Sequence, residues 1–292
     1  MKKQVSLVLS GGGARGIAHI GVIKSLEAKG YEIKSIAGTS MGALVGGLYA
    51  AGALDEFTHW ITNADIKDAI KILDFSLKLP GLIKGEKIMR KIDKMLDIKK
   101  IENLPVDFVA VATDIISRND VVFDKGSLLK AIRASIAIPS VFTPVYDDNK
   151  ILLDGGLINN IPLNHLKNKQ NYPVIAVCVN ADIPVDNEIK RLFQKTENEQ
   201  IEKLLKIKKH IRSYLKKTEN ENREHIGYAE LIDQSIHLMI GQISQNLLHK
   251  NPPDILINIS REICGTFDFL KAGKIIKAGE TATEKVLSEL KN

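Results

Sequence analysis

The sequence predicts an α/β protein, a three-layer sandwich with a mainly parallel central sheet and a helical elaboration. The first 52 residues alternate strand, helix, strand and helix, an order typical of a parallel sheet. With 292 residues, 44% hydrophobic and 26% charged, the chain is suited to one large packed domain, taken as residues 1–292. Further strand patterns occur at residues 106–115, 121–124, 151–154, 173–180 and 254–259.

The first two strands and helices follow from hydrophobic periodicity. Residues 4–10 are a short apolar run and predict a buried strand. In residues 17–29 apolar side chains recur at helical spacing, and a glycine follows as a helix end. Residues 32–38 predict a second strand. Residues 40–52 predict a helix so rich in glycine and alanine that we expect it to pack very close to the sheet.

The chain changes character between residues 186 and 250, where it is charged, helical in period and almost free of glycine and proline. We expect a helical insertion there, between a motif-bearing segment at 5–170 and a C-terminal strand with helices that return to the core at 251–292. Inside the insertion, residues 206–217 carry six basic side chains and no acidic one. They predict either a solvated amphipathic helix or a helix that contacts an anionic membrane.

Several features limit where the protein is located and which partners it has. The N-terminus lacks the apolar core of a signal peptide, and no run of about 18 apolar residues would span a bilayer. The net charge of +6 favours anionic partners such as phospholipid surfaces. We therefore expect a cytoplasmic protein with at most peripheral membrane contact, no nucleic-acid partner, no cofactor and no metal. An apolar stretch at 72–83 predicts either a core turn or a lid over a lipid site.

Residues 10–16, SGGGARG, have two interpretations. Gly11, Gly13 and Gly16 have the spacing of the dinucleotide-binding fingerprint, which also needs an acidic side chain near the end of the second strand. Here Ser40 occupies that place and no acidic residue ends the strand. We therefore favour the second interpretation, a loop whose backbone N–H groups stabilise an oxyanion.

Ser40 lies in a G-x-S-x-G pattern between a predicted strand and a predicted helix. A sharp turn at that point would expose the serine hydroxyl as a nucleophile, with Gly38 and Gly42 allowing close backbone approach. The N-terminus of the following helix would favour a developing negative charge. The alternative is a serine that only caps the helix.

A nucleophilic serine needs a base, and Asp154 is the favoured candidate. It ends the predicted strand of residues 151–154, and sites in open parallel sheets collect at the carboxyl ends of strands. Burial would raise the pKa of this carboxyl group and make it a stronger base. Alternatively, Asp154 caps the following turn and a histidine is the base. His165 would give the order Ser–Asp–His, but its surroundings predict a surface helix, and His19 lies in the helix after the glycine loop.

Taken in order, these motifs resemble those of the patatin-like phospholipase family over residues 5–170. Three motifs carry the similarity: the glycine-rich loop at residues 11–16, the serine turn at 38–42 and the Asp-Gly-Gly sequence at 154–156. Two linking segments, residues 133–145 and 154–163, are also similar. The sequence FDFLKAGKIIKAGE near the C-terminus also resembles the tail of bacterial members.

The resemblance implies a Ser–Asp dyad in which Ser40 attacks a lipid ester and Asp154 takes its proton. It implies an acyl-enzyme, an oxyanion held by backbone N–H groups of Gly11, Gly12 and Gly13, and a phospholipid or lysophospholipid substrate. Arg15 would either support the loop or contact a phosphate head group. The other supporting motif residues are Ala14, Gly16, Gly38, Gly42, Gly155 and Gly156. The alternative is a non-catalytic lipid-binding or scaffolding protein on a hydrolase fold.

Overall fold

The computed structural model describes residues 3–65, 68, 74, 83–167, 171–193 and 228–290. Within these residues, eight strands form one sheet. They are β1 (Lys3–Leu9), β2 (Tyr31–Thr39), β3 (Asp107–Asp114), β4 (Asn119–Phe123), β5 (Val145–Asp147), β6 (Lys150–Asp154), β7 (Val174–Ala181) and β8 (Ile255–Ser260).

Helices are distributed between the strands and after them. The described α-helices are α1 (Ala18–Ala28), α2 (Met41–Ala50), α3 (Leu54–Asn63), α4 (Glu86–Asp93), α5 (Leu128–Ser135), α6 (Tyr228–Lys250) and α7 (Ala272–Glu289). A short 3₁₀ turn, Gly13–Ile17, precedes α1. Among the described helices, none is both long enough and apolar enough to cross a membrane.

The sheet is mainly parallel, as predicted. β1 pairs in parallel with β2 and with β7, and the parallel pairing continues from β2 to β3 and from β7 to β8. Antiparallel pairing is confined to β3 with β4, β3 with β6, and β5 with β6. The protein therefore has the predicted α/β architecture with an antiparallel extension beside β3.

β2 and β6 meet end to end along the same side of β3. Val111 of β3 pairs with Thr39 of β2 and with a residue of β4. The next residue, Ala112, pairs with Asp154 of β6 and again with β4. Since the two partners of a strand residue lie on opposite sides, β2 and β6 share the side that β4 does not occupy. Asp154 thus ends an antiparallel strand, and the parallel-sheet rule that suggested its position does not explain it.

The two larger clusters of the core lie on opposite faces of the sheet, and a small third cluster consists of Ala112, Ala134 and Leu152. Alternate side chains of a strand point to opposite faces, so Leu7 and Leu9 face the larger cluster with α1, α2, α5 and α7, whereas Val8 faces the smaller one. The smaller cluster is closed by side chains of residues 161–166 and by Leu248 of α6. Both faces are covered, which explains why the buried part of β1, residues 5–9, is apolar apart from Ser6.

The predicted insertion and lid are described only in part. Of residues 186–250, the structure describes 186–193 and 228–250, the second of which is α6. The basic stretch 206–217 lies outside the described residues, and so does the apolar stretch 72–83 apart from residues 74 and 83. Beyond residue 250, β8 pairs with β7, and α7 packs against α1.

The crossing of α1 and α7 depends on two glycines. A Cβ at Gly21 would overlap the carbonyl oxygen of Ile276, and a Cβ at Gly279 would overlap that of Ala18.

We predict that Gly279→Ala destabilises the protein by about 1–3 kcal/mol, because the helices must separate. Gly273→Ala in the same helix is the control, since its Cβ meets nothing within 4 Å; it should be neutral or stabilising by up to about 1 kcal/mol. Urea unfolding of the two variants measures the difference, and equal stabilities would contradict the prediction.

Candidate active site

Ser40 lies on a sharp turn between β2 and α2. Its backbone has φ 54° and ψ −123°, a conformation that side-chain-bearing residues rarely adopt. The turn requires glycine on both sides: a Cβ at Gly38 would lie 2.5 Å from the carbonyl oxygen of Gly42, and one at Gly42 would overlap that of Leu9. The Ser40 side chain does not cap α2. This geometry matches that of a sharp strand-to-helix elbow, and the side chain is not used as a helix cap.

The Ser40 hydroxyl donates a hydrogen bond to Asp154. The Oγ–Oδ2 distance is 2.5 Å, and both residues are buried, with 4% and 6% of their surface exposed. The other carboxylate oxygen of Asp154 accepts the N–H of Gly156 at 2.7 Å. Asp154 therefore caps the following turn and also contacts the serine, so its two interpretations are compatible.

Burial raises the pKa of Asp154 to about 6, although hydrogen bonds from Ser40 and from the Gly156 N–H act in the opposite direction. Desolvation disfavours the charged form and here exceeds the effect of the two donors. A carboxyl group with a pKa near 6 is a stronger base than an exposed aspartate and is still mostly ionised at neutral pH.

Ser135 fixes the backbone of the turn. The N–H of Ser40 donates to Ser135 Oγ at 2.8 Å, and Ser135 in turn donates to the carbonyl oxygen of Val111 at 2.6 Å. The side chain of Ser135, at the end of α5, is fully buried. The sequence signal for it is a single polar residue inside an apolar run of residues 134–138.

The glycine loop is fastened by two asparagines. The N–H of Gly11 donates to the carbonyl oxygen of Asn160 at 3.1 Å, and the carbonyl oxygen of Gly11 accepts the Asn180 side chain at 2.8 Å. Gly11 was predicted as an oxyanion donor, but its N–H group is already occupied. Gly12 and Gly13 line the cavity, and their N–H groups have no acceptor among the described residues.

Arg15 supports this loop. Its Nε donates to Asn180 Oδ1 at 2.8 Å, and its Nη1 donates to the carbonyl oxygen of Cys264 at 3.2 Å. The guanidinium group thus joins the loop to β7 and to the segment after β8. Of the two roles that the sequence left open, these contacts favour loop support.

The two histidines considered as bases bond to other groups. His19 is fully buried and its Nε2 donates to the carbonyl oxygen of Ser10 at 2.8 Å, while burial lowers its pKa to about 4. His165 Nε2 lies 2.6 Å from Asp120 Oδ2, on a short 3₁₀ turn, Leu163–His165. Among the histidine side chains that the structure describes, none is bonded to Ser40.

Ser40 and Asp154 open onto a cavity of about 570 Å³. This volume lies in the range of pockets that enclose one small organic ligand. Much of the wall is apolar and comes from several elements, including Ile138, Leu157, Cys178 of β7, and Ile240 and Leu248 of α6. Across the described part of the chain, no group of three or more His, Cys, Asp or Glu side chains is arranged to hold a metal ion.

Comparison with known proteins identifies the family. Residues 7–167 match the family described as Patatin-like phospholipase. The chain belongs to the patatin-like phospholipase family. The matched region contains the glycine loop, the serine turn and Asp154, and ends just after the 3₁₀ turn that carries His165.

Relatives in this family extend from bacteria to mammals. An uncharacterized NTE family protein of Mycobacterium bovis is 44% identical over 177 residues, which are 61% of this chain and 49% of that protein. Patatin-like phospholipase domain-containing protein 6 of Mus musculus is 34% identical over 188 residues, 62% of this chain and 14% of that protein. The match thus spans about half the length of the bacterial relative. Legionella pneumophila VipD aligns at a TM-score of 0.49 and 15% identity, over 99% of this chain and 67% of that one.

The site also contains three polar residues that were not among the predicted site residues, namely Ser135, Asn160 and Asn180, although the linking segments 133–145 and 154–163 include the first two. Asn180 follows a buried apolar strand sequence at its carboxyl end, and Asn160 is the second of two adjacent asparagines that are each 2% exposed. An asparagine inside or at the end of an apolar stretch is a usable sequence signal, because a polar group in such a place needs hydrogen-bond partners. Their partners in the glycine loop, however, are set by tertiary contacts.

The burial of Asp154 predicts a pH-dependent cost to stability. Its folded pKa of about 6 exceeds the usual aspartate value of 3.8, so its stabilising contribution is complete below about pH 4 and is lost as the pH rises through 6. Asp154→Asn removes this dependence. We predict that the unfolding free energy of the variant, relative to that of the wild type, increases by on the order of 2 kcal/mol between pH 4.5 and pH 8. Urea unfolding at several pH values measures it, and a constant difference would contradict the prediction.

Proposed function

We propose that the protein is a serine acyl hydrolase that cleaves fatty-acyl esters of membrane lipids, of the phospholipase A or lysophospholipase type. Membership of the patatin-like phospholipase family supports lipid acyl hydrolase activity in general. The observation that carries the finer proposal is the Ser40–Asp154 hydrogen bond on a strained turn beside an apolar cavity.

In the first step, ionised Asp154 accepts the hydroxyl proton of Ser40 as Oγ attacks the ester carbonyl carbon. The carbonyl oxygen becomes an oxyanion. The N–H groups of Gly12 and Gly13 are its proposed donors, with the positive end of α2 close to the same point. The loop is held by Asn160, Asn180 and Arg15 before the substrate arrives, so little reorganisation is needed.

In the second step, the tetrahedral intermediate collapses, and the proton on Asp154 passes to the leaving alcohol oxygen. An ester between Ser40 and the fatty acid remains. Asp154 then takes a proton from water, which attacks the ester and releases the fatty acid. The proton returns to Ser40 Oγ, so each turnover restores the dyad.

The apolar wall of the cavity supports an acyl chain as the part of the substrate that enters it. The head group would then remain at the mouth. Contact of the basic residues 206–217 with an anionic membrane is part of the proposal, but these residues lie outside the described part of the chain.

We expect a fluorophosphonate probe to label the protein and Ser40→Ala to abolish both labelling and fatty-acid release. Ser6→Ala is the matched control, since Ser6 is fully buried on β1 and belongs to none of the site contacts described above; it should be labelled like the wild type. Gel fluorescence and mass spectrometry of the released fatty acids are the measurements. Hydrolysis that persists in Ser40→Ala would refute the nucleophile. Liposome binding without labelling or acyl release would favour the scaffolding alternative.

The pH profile tests the base. Because Asp154 must be ionised to accept the proton and its pKa is about 6, we expect kcat/KM to rise about tenfold per pH unit below 6 and to level off above about 7. Asp154→Asn should lower kcat by about 10²-fold or more while the protein stays folded by circular dichroism. Full activity of Asp154→Asn would assign the proton transfer to another group.

A further inference from the structure

Asn159 hydrogen-bonds to the neighbours of Ser40 and of Asp154, and it adjoins the residue that bonds to the glycine loop. It makes no hydrogen bond to Ser40 or Asp154 themselves. Its carbonyl oxygen accepts the Thr39 hydroxyl at 2.8 Å, directly before Ser40. Its N–H donates at 2.8 Å to the carbonyl oxygen of Gly155, directly after Asp154. The next residue, Asn160, holds the N–H of Gly11 in the glycine loop. A shift of this backbone would therefore move the nucleophile, the base and the oxyanion loop together.

The side chain of Asn159 is held by residues that do not line the cavity. Its Nδ2 donates to Asp120 Oδ2 at 2.7 Å and to Asn164 Oδ1 at 2.9 Å. A carboxylate can only accept hydrogen bonds, so the amide nitrogen must face Asp120. The amide oxygen is then buried without a hydrogen-bond partner among the described residues.

Asp120 is itself held by His165. The carboxylate oxygen that accepts Asn159 also accepts His165 Nε2 at 2.6 Å. Burial alone would raise the pKa of Asp120, but the hydrogen bonds from His165 and Asn159 together lower it. The carboxylate therefore remains ionised and keeps both donors. The chain of contacts runs from His165, through Asp120, to Asn159.

We propose that Asn159 is a positioning residue for acyl transfer and that the Asp120–His165 pair holds it in place. This inference rests on the proposed hydrolase function. Neither Asp120 nor His165 is among the residues that line the cavity, so they act through Asn159 and not on the substrate. Small displacements of reacting groups have large kinetic effects, about 10²-fold for a shift near 1 Å.

The variants Asn159→Ala and Asp120→Ala test the network, and Asp120→Asn tests rescue because its amide oxygen can still accept from Asn159. The matched control is Asp124→Asn. Asp124 pairs with Lys167 at 3.5 Å and so joins the same two parts of the chain as Asp120 and His165 do, without contacting Asn159. The measurements are the fluorophosphonate labelling rate, kcat and KM per folded molecule, and thermal unfolding.

We expect Asn159→Ala and Asp120→Ala to lower kcat and the labelling rate at least about tenfold with KM changed less than threefold. Asp120→Asn should recover part of the loss, and Asp124→Asn should behave like the wild type. Labelling rates per folded molecule that match the control in both alanine variants would overturn the inference, whatever their thermal stability. If Asn159→Ala does not fold, the two Asp120 variants decide alone.

A wild-type protein that is not labelled would refute the proposed function and not the positioning role. Hydrogen exchange then decides the latter. The Gly11 amide, which donates to Asn160, should exchange faster in Asp120→Ala than in Asp124→Asn. Equal exchange in the two variants would overturn the inference independently of activity.

Discussion

The end-to-end meeting of β2 and β6 along one side of β3 determines the rest of the site. Thr39 pairs with Val111 and Asp154 with Ala112, so the two strands stop at adjacent positions of the same neighbour. Ser40, the next residue after β2, therefore lies beside the carboxylate of Asp154, which ends β6. A direct hydrogen bond between them needs no intervening histidine. The sheet itself, through backbone pairing, sets the distance between Ser40 and Asp154.

This arrangement leaves very little space, and the sequence accommodates it with small residues. A Cβ at Gly155 would overlap the carbonyl oxygen of Val111, in addition to the contacts that exclude side chains at Gly38 and Gly42. Ser40 keeps a side chain there in an unfavourable backbone conformation, which the surrounding hydrogen bonds hold in place. Strain of this kind is typical of residues whose reactivity matters more than their contribution to stability.

The sequence predicted the elements whose signal is local and missed those that depend on neighbours in space. β1, β2 and the small-residue helix α2 follow from apolar runs and glycine content, and Ser40 with Asp154 follow from short motifs. The antiparallel direction of β6 was not predicted, because an apolar strand sequence does not encode its partner. Likewise, whether Gly11 or Gly12 offers a free N–H depends on Asn160, which lies about 150 residues away in the sequence.

Asp154 is buried and Asp120 is half-buried, and the two carboxylates have opposite electrostatic properties. Asp154 has two hydrogen-bond donors, but burial dominates and raises its pKa. Asp120 also receives two donors, one of them a histidine, and its pKa is lowered. Environment thus separates a carboxylate that can take up a proton from one that stays charged and holds its partners. Because Asn159 bonds to the charged Asp120 and also to Thr39 and Gly155, the neighbours of Ser40 and Asp154, the charged carboxylate constrains the geometry of the Ser40–Asp154 contact.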